Sequence, residues 1–387
     1  MPHPLAHHPH FVPCTDPASG VTSYVLKPIA GPIQKAWYFT RVSLLTSDGY
    51  LGFFASVPPR RTFFPALLSL NPDDPVHRPF PHLEGSGLFD PDDPSFVYFP
   101  VDDMIVRQSI DGGAPGILTR MPAEILAQRH LFRLCTNLTL TADRRFFILD
   151  SRLGNQWLIS LVDRKSGAWH PLKWFGREHH HAIAAPHDPT LFIINQGHWT
   201  DPITGGKNEM DLRIWLMKTD LSLYRPLDPE LWFGHGSKTC HEWWNHLGNV
   251  QYCEYDTGIW EHDVSSGERR LIWSHPCIHG QVDPTNRYLV SDSGCYHWNE
   301  RIPCQVHFLD RATGKEIPIV QTMPPQPLPW RDFRSYHLDP HPHFSADGSM
   351  VVYTTTALGM PSVALCPVDE LVKAARDRGT SAATPLE

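Results

Sequence analysis

The nine residues YHLDPHPHF at 336–344 carry the densest potential chemistry in the chain. In an extended strand alternate side chains share a face, so His337, Asp339, His341 and His343 would line up together. Neutral imidazoles with a carboxylate suit a divalent transition metal. His279, in HPCIHGQVDP, could join from a neighbouring sheet. One Pro-flanked His alone would read as a solvated turn. Four ligand-type residues at period two favour a metal.

Three further segments carry reactive side chains. In KTCHEWWNH (238–246), His241 precedes Glu242 and two Trp. An imidazole against aromatic walls can be a tuned general base, and equally a core His packed under Trp243. In EMDLRIWLMKTD (209–220), Leu212, Ile214 and Leu216 alternate with Arg213, Trp215 and Met217, as in a strand. Arg213 could clamp a carboxylate, or pair with Asp211 or Glu209. In REHHHAIAAPHDP (177–189), His179, His180 and His181 are adjacent, so only alternate ones share a face. A solvated loop accounts for most of that run.

These residues need a scaffold. The chain has 387 residues, 33 Lys+Arg and 41 Asp+Glu, and a formal net charge of −8. That balance argues against nucleic-acid or anionic-membrane partners, which need a basic face. The 38 Pro disfavour long helices. No apolar run approaches membrane-spanning length. The start, MPHPLAHHPHFVPC, lacks the apolar core of a signal peptide. Eight scattered Cys without a CxxC pair suggest reduced thiols and a cytoplasmic location.

A turn rich in Asp, Gly, Pro or Asn followed by a β-rich run recurs seven times, from TSDGYLGFFAS (46–56) to SADGSMVVYTT (345–355). Hairpin turns such as DRKSG, DVSSG and DRATG lie between copies. Seven copies with room for four strands each predict an all-β, seven-bladed β-propeller over 1–378. VTSYVLK (21–27) is expected to pair with the last blade, and 379–387 to be a disordered tail. MPPQPLPW (323–330) and residues 198–210 read as insertions. Only 121–130 and 368–377 have helical character. Two separate β domains are the competing organisation.

Taken together, these segments resemble the oligogalacturonate lyases, seven-bladed pectin-degrading propellers of polysaccharide lyase family 22. DPASGVTSYVLKP resembles that family's opening strand, YFTRVSLLTSDGYLGFFAS its first blade and DLRIWL its Asp-x-Arg-x-Trp strand. KTCHEWW resembles its His-Glu-Phe-Trp motif, PCIHG its Pro-Cys-Ser-His segment, and PHPHFSADGSMVVYTT its His-Pro-His blade. The resemblance implies a metal, usually manganese, held by three His and one Gln. His279 matches the Cys-x-His ligand, and His341 and His343 match the His-Pro-His pair. The family's Gln then falls on Leu338, and His337 is the nearest substitute. Anchoring on Phe344 instead makes His341 the second His and puts Asp339 at the first.

By the same resemblance His241 is the base, Arg213 the catalytic or carboxylate-binding arginine, and His181 faces the substrate. Trp243 and Trp244 are expected to flank a sugar. The implied reaction is β-elimination from a uronic-acid-containing oligosaccharide. The alternatives are a non-catalytic glycan- or protein-binding propeller, and a glycoside hydrolase. The latter needs paired carboxylates.

Overall fold

The computed structural model describes residues 3–232, 238–295, 303–325 and 336–377. The recurrent turns form because Asp side chains replace backbone partners. In DRKSG, Asp163 Oδ1 accepts the N–H of Lys165 (3.0 Å) and Ser166 (2.9 Å), and Gly167 takes φ 71°. DVSSG repeats this, with Asp263 Oδ1 2.8 Å from the N–H of Ser265 and 2.9 Å from that of Ser266. Such turns reverse the chain between short strands, and antiparallel sheets result.

The architecture is an all-β, seven-bladed β-propeller. The first sheet runs Ile33–Ala36, Tyr50–Ser56, Phe64–Ser69 and His77–Pro79 in sequence order. The second comprises Leu88–Phe89, Phe96–Val101, Met104–Ser109 and Gly116–Arg120. The third holds Thr139–Leu140, Phe146–Leu153, Gln156–Asp163 and Trp169–Phe175, with Leu131–Arg133 beside Phe146–Leu153. The fourth comprises His179–Ala184, Leu191–Gln196, Ile214–Lys218 and Tyr224–Pro226. The fifth comprises Thr239–Trp244, Val250–Glu254, Gly258–His262 and Arg269–Trp273. The sixth comprises Gly280–Val282, Tyr288–Ser293, Gln305–Asp310 and Lys315–Val320.

The seventh sheet is drawn from distant parts of the chain. His343–Phe344, Met350–Thr355 and Ser362–Pro367 are joined by Thr22–Leu26 and Phe11–Thr15. Tyr24 pairs with Leu365 and Val25 with Ala364. Tyr353 Oη donates to Ser23 Oγ at 2.8 Å, adding a side-chain link across the same junction.

Two compact units are distinguished. Residues 1–82 with 275–387 hold sheets one, six and seven; residues 83–274 hold sheets two to five. In the first, Phe53, Leu68, Val352 and Leu365 belong to one buried apolar cluster. Trp37 is fully buried against Gly52, where a Cβ would lie 2.4 Å from its ring. In the second, Phe147 and Leu158 pack with Tyr98, and Trp157 and Ile159 with Phe192. Each such aromatic or aliphatic side chain contributes roughly 1.5–3 kcal/mol by burial.

The helical expectation over 121–130 contracts to one turn, Ala123–Leu126. It ends because Ala127 and Gln128 take φ 43° and 61°. Val368–Asp377 is a helix burying Val368, Leu371 and Ala375. The insertion at 198–210 contains a two-stranded ribbon, Trp199–Thr200 with Lys207–Asn208. Residues 326–330 of the Pro-rich insertion and the tail 379–387 lie outside the described residues. No described helix is long and apolar enough to cross a membrane.

Candidate metal centre and a buried ion-pair cluster

In the first unit the segment 337–342 is not a strand; only His343–Phe344 pairs. The period-two face expected there does not form. Pro340 and Pro342 have no N–H for a ladder, and His337 and His341 take φ 47° and 48°. The irregular backbone sorts the four side chains differently.

His279, Asp339 and His341 converge, with one ligand atom of each within 4.8 Å of the others. All three residues are buried. The His279 and His341 rings lie 4.3 Å apart at 72°, and Tyr38 packs edge-on to His341 at 5.0 Å. Asp292 holds this arrangement. It lies 2.9 Å from His279 Nδ1, accepts the His279 N–H at 2.9 Å and accepts the His341 N–H at 3.2 Å. A carboxylate on Nδ1 fixes the tautomer with Nδ1–H, leaving Nε2 as the metal-binding lone pair. Two imidazoles and one carboxylate with this support fit a divalent transition metal.

His337 is largely exposed, with Nε2 2.9 Å from Asp339 Oδ2. It flanks the group as a partner of the carboxylate. His343 is not brought to the group, which corrects its expected role as a ligand. Its Nδ1 faces the His341 carbonyl at 2.8 Å and its Nε2 the Ser43 hydroxyl. Both nitrogens are thus engaged, and burial pushes the imidazole down to about 4. Burial alone would raise the Asp339 carboxyl. The charges and hydrogen bond of His337, with His279 and Lys35, outweigh it and hold Asp339 below the usual carboxylate range.

Lys35 and Asp292 escaped sequence reasoning. Lys35 Nζ donates to the carbonyls of Tyr336 (3.2 Å) and His337 (3.0 Å) and sits 4.2 Å from the Phe63 ring centroid. Burial pulls this amine down to about 8, against the opposing pull of Asp339. Neither residue lies in a motif, and only tertiary pairing brings them here.

The second unit contains a separate cluster around Glu242. Arg213 Nε donates to Glu242 Oε2 at 3.0 Å, Asn195 donates to Oε1, and His181 Nδ1 lies 3.7 Å from Oε1. Glu242 is 1% exposed. Burial would raise its carboxyl, but Arg213, His181 and Asn195 drive it down to about 2. The partner of Arg213 is therefore Glu242, not Glu209 or Asp211. His181 and His241 each occupy a β-bulge at the start of a blade. The register shifts between His180 and Ile183 and between Cys240 and Glu242, and the two His take φ 54° and 34°. A bulge re-aims a side chain off the regular alternation, and such strain clusters at functional sites.

The sequence leads one to expect Trp243 as a sugar platform, and its burial corrects this. Trp243 is 3% exposed and its indole N–H donates to Gln251 Oε1 at 2.9 Å. Because His241 is bulged, the alternation resumes at Glu242 and turns Trp243 into the interior. Trp244 donates its indole N–H to the Ile183 carbonyl at 2.9 Å.

No protein-family model matches the sequence, and no curated protein matches it. Solved structures do. An oligogalacturonate lyase in complex with manganese superposes with a TM-score of 0.71 and 18% identity, over 92% of this chain and 96% of that one. An oligogalacturonate lyase from Vibrio parahaemolyticus gives a TM-score of 0.72 and 15% identity over the same shares. A chain of the mitotic checkpoint complex matches at a TM-score of 0.51 and 9% identity. At such identities the likeness shows a shared fold.

Proposed function

We infer that this chain is a metal-dependent carbon–oxygen lyase that cleaves uronic-acid-containing oligosaccharides, oligogalacturonate among them, by β-elimination. The observation that carries the reading is the convergence of His279, Asp339 and His341 with Asp292 behind His279. The fold shared with two oligogalacturonate lyases supports it, and manganese is the favoured ion because one of those structures contains it. His279, Asp339 and His341 would hold the ion, which when bound supplies Lewis acidity toward a carboxylate.

In β-elimination the proton on C5, beside the carboxylate, is removed. Its electron pair forms the C4=C5 double bond, and the C4–O pair departs with the oxygen, which takes up a proton. Negative charge grows on the carboxylate, so fixed cationic groups there lower the barrier. His241 is assigned as the base, since a neutral imidazole suits proton removal near pH 7. Arg213 is assigned to the uronate carboxylate, with Glu242 fixing the guanidinium through Nε. His181 is assigned to substrate contact. These three assignments rest on the resemblance, and the residues belong to the unit that does not hold the metal group.

A hydrolase reading gains little support. Asp292, the carboxylate behind His279, is fully buried and committed to that imidazole, so it is not free to act as the second acid that hydrolysis needs. The test is ultraviolet absorbance during incubation with digalacturonate and other uronate oligomers, with manganese or with chelator. A rise that chelation and His241→Ala both abolish is expected. A saturated product, or no product from any uronate on folded protein, would overturn the reading.

A further inference from the structure

We propose that His275, His307 and Glu316 form a second divalent-metal site on the sixth sheet, distinct from the His279 group and independent of the lyase reading. One ligand atom of each lies within 4.8 Å of the others. His307 Nδ1 is 3.0 Å and His275 Nδ1 3.4 Å from the same oxygen, Glu316 Oε1. Ligand atoms sharing one ion at bond lengths near 2.0–2.2 Å stand roughly 3–3.5 Å apart, which these separations match.

The directions of the atoms favour an ion over a simple ion pair. His307 Nδ1 is buried and makes no hydrogen bond, although Glu316 Oε1 is 3.0 Å away. A lone pair directed at a shared third point produces that geometry, whereas an N–H donated to the carboxylate does not. The other ring nitrogen sets the tautomer. His307 Nε2 lies 3.4 Å from Gln305 Oε1; a proton on Nε2 serves that acceptor and leaves the Nδ1 lone pair for an ion. Burial, then the neighbouring His307, lowers His275 to about 4 against the pull of Glu316, so His275 is also a neutral imidazole near pH 7.

The fold presents these donors deliberately close together. Leu309 pairs with Glu316 and His307 with Pro318, so His307 and Glu316 are diagonal neighbours across two strands. His275 comes from the segment leading into Gly280–Val282, and its ring lies 4.2 Å from that of His307. Two imidazoles and one carboxylate leave a position for water, a donor set suited to zinc or a similar borderline ion. His307 is 6% exposed, while the more open Glu316 gives an ion a way in from solvent. An ion here would staple the incoming segment to the outer strand Lys315–Val320.

The experiment uses chelator-stripped full-length protein without a histidine tag, titrated with Zn²⁺ alone and, in parallel, with Co²⁺ as a spectroscopic probe. Bound metal is counted by elemental analysis after dialysis. Wild type should bind two equivalents. Glu316→Gln, a shape-conserving change at an accessible position, should bind one, with affinity for the second lowered at least tenfold. His279→Ala should also retain one equivalent, and its melting temperature should rise with Zn²⁺. The same rise should be absent when Glu316→Gln is added. Unchanged stoichiometry in both Glu316→Gln and His307→Gln would overturn the proposal, as would a folded His279→Ala protein that binds no metal.

Discussion

Asp292 grips His279 at two points, with one oxygen 2.9 Å from Nδ1 and the other 2.9 Å from its backbone N–H. It also accepts the N–H of His341. One buried carboxylate therefore sets the ring orientation of one donor and the backbone position of the other. Asp292→Asn should weaken metal binding roughly 10–100-fold, the usual cost of losing such support. Calorimetric titration with Mn²⁺ reads this directly, and an unchanged affinity would mean that His279 is oriented by something else.

Asp339 and His343 should separate cleanly. Asp339→Asn removes a donor and should lower metal affinity at least tenfold at little cost in fold stability. His343→Ala should do the reverse. It strips partners from the Ser43 hydroxyl and the His341 carbonyl, which costs about 1–3 kcal/mol in urea unfolding. Loss of metal without loss of stability in His343→Ala would restore this residue as a ligand.

The Arg213–Glu242 pair is buried, with side chains 12% and 1% exposed. Glu242→Gln should destabilise the fold by about 3–5 kcal/mol, because it leaves a guanidinium desolvated beside a neutral amide. Adding Arg213→Met should return part of that loss. A double variant no more stable than Glu242→Gln alone would argue that the pair is not what holds this region.

His179 provides a pH test away from the metal group. It stacks on Phe175 at 3.7 Å, with Nδ1 3.0 Å from the Arg177 carbonyl and Nε2 3.0 Å from the Tyr224 hydroxyl. Burial lowers it to about 4 from 6.5. The folded state therefore resists protonation that the unfolded chain accepts. Its contribution is complete above pH 6.5 and is lost as pH falls from there toward 4. Urea unfolding at pH 7 and pH 4.5 should show a smaller difference in His179→Gln than in wild type. Equal differences would place the titrating group elsewhere.

Trp243→Phe should lower stability by about 1–3 kcal/mol, because Gln251 loses its buried donor. Its KM for uronate oligomers should remain that of wild type. A raised KM at unchanged stability would return Trp243 to the substrate.

The turn chemistry made the fold legible. Asp163 and Asp263 announce hairpins by residue type, and the separate turn-and-strand unit, repeated seven times, implies seven blades. The site was legible as composition and not as geometry. His279 and His341 are brought together as their motifs suggest, but bulges and positive φ decided where the other side chains point. His343 leaves the face that regular alternation predicts because the backbone at His341 takes positive φ, and Trp243 turns inward because His241 is bulged. Asp292 and Lys35 were invisible because nothing local marks a residue whose role comes from pairing across strands.

The seventh sheet also sets a timetable for synthesis. The Ser362 hydroxyl donates to the Leu26 carbonyl across a separation of 336 residues. At ribosomal rates of about 5–20 residues per second, the hairpin of Phe11–Thr15 and Thr22–Leu26 waits roughly 20–70 s for its partner strand. Throughout that interval Thr22–Leu26 presents an unpaired edge that another nascent chain can capture. The chain's exposure to domain swapping and to chaperone dependence is thus concentrated in its first strands, long before either metal group exists.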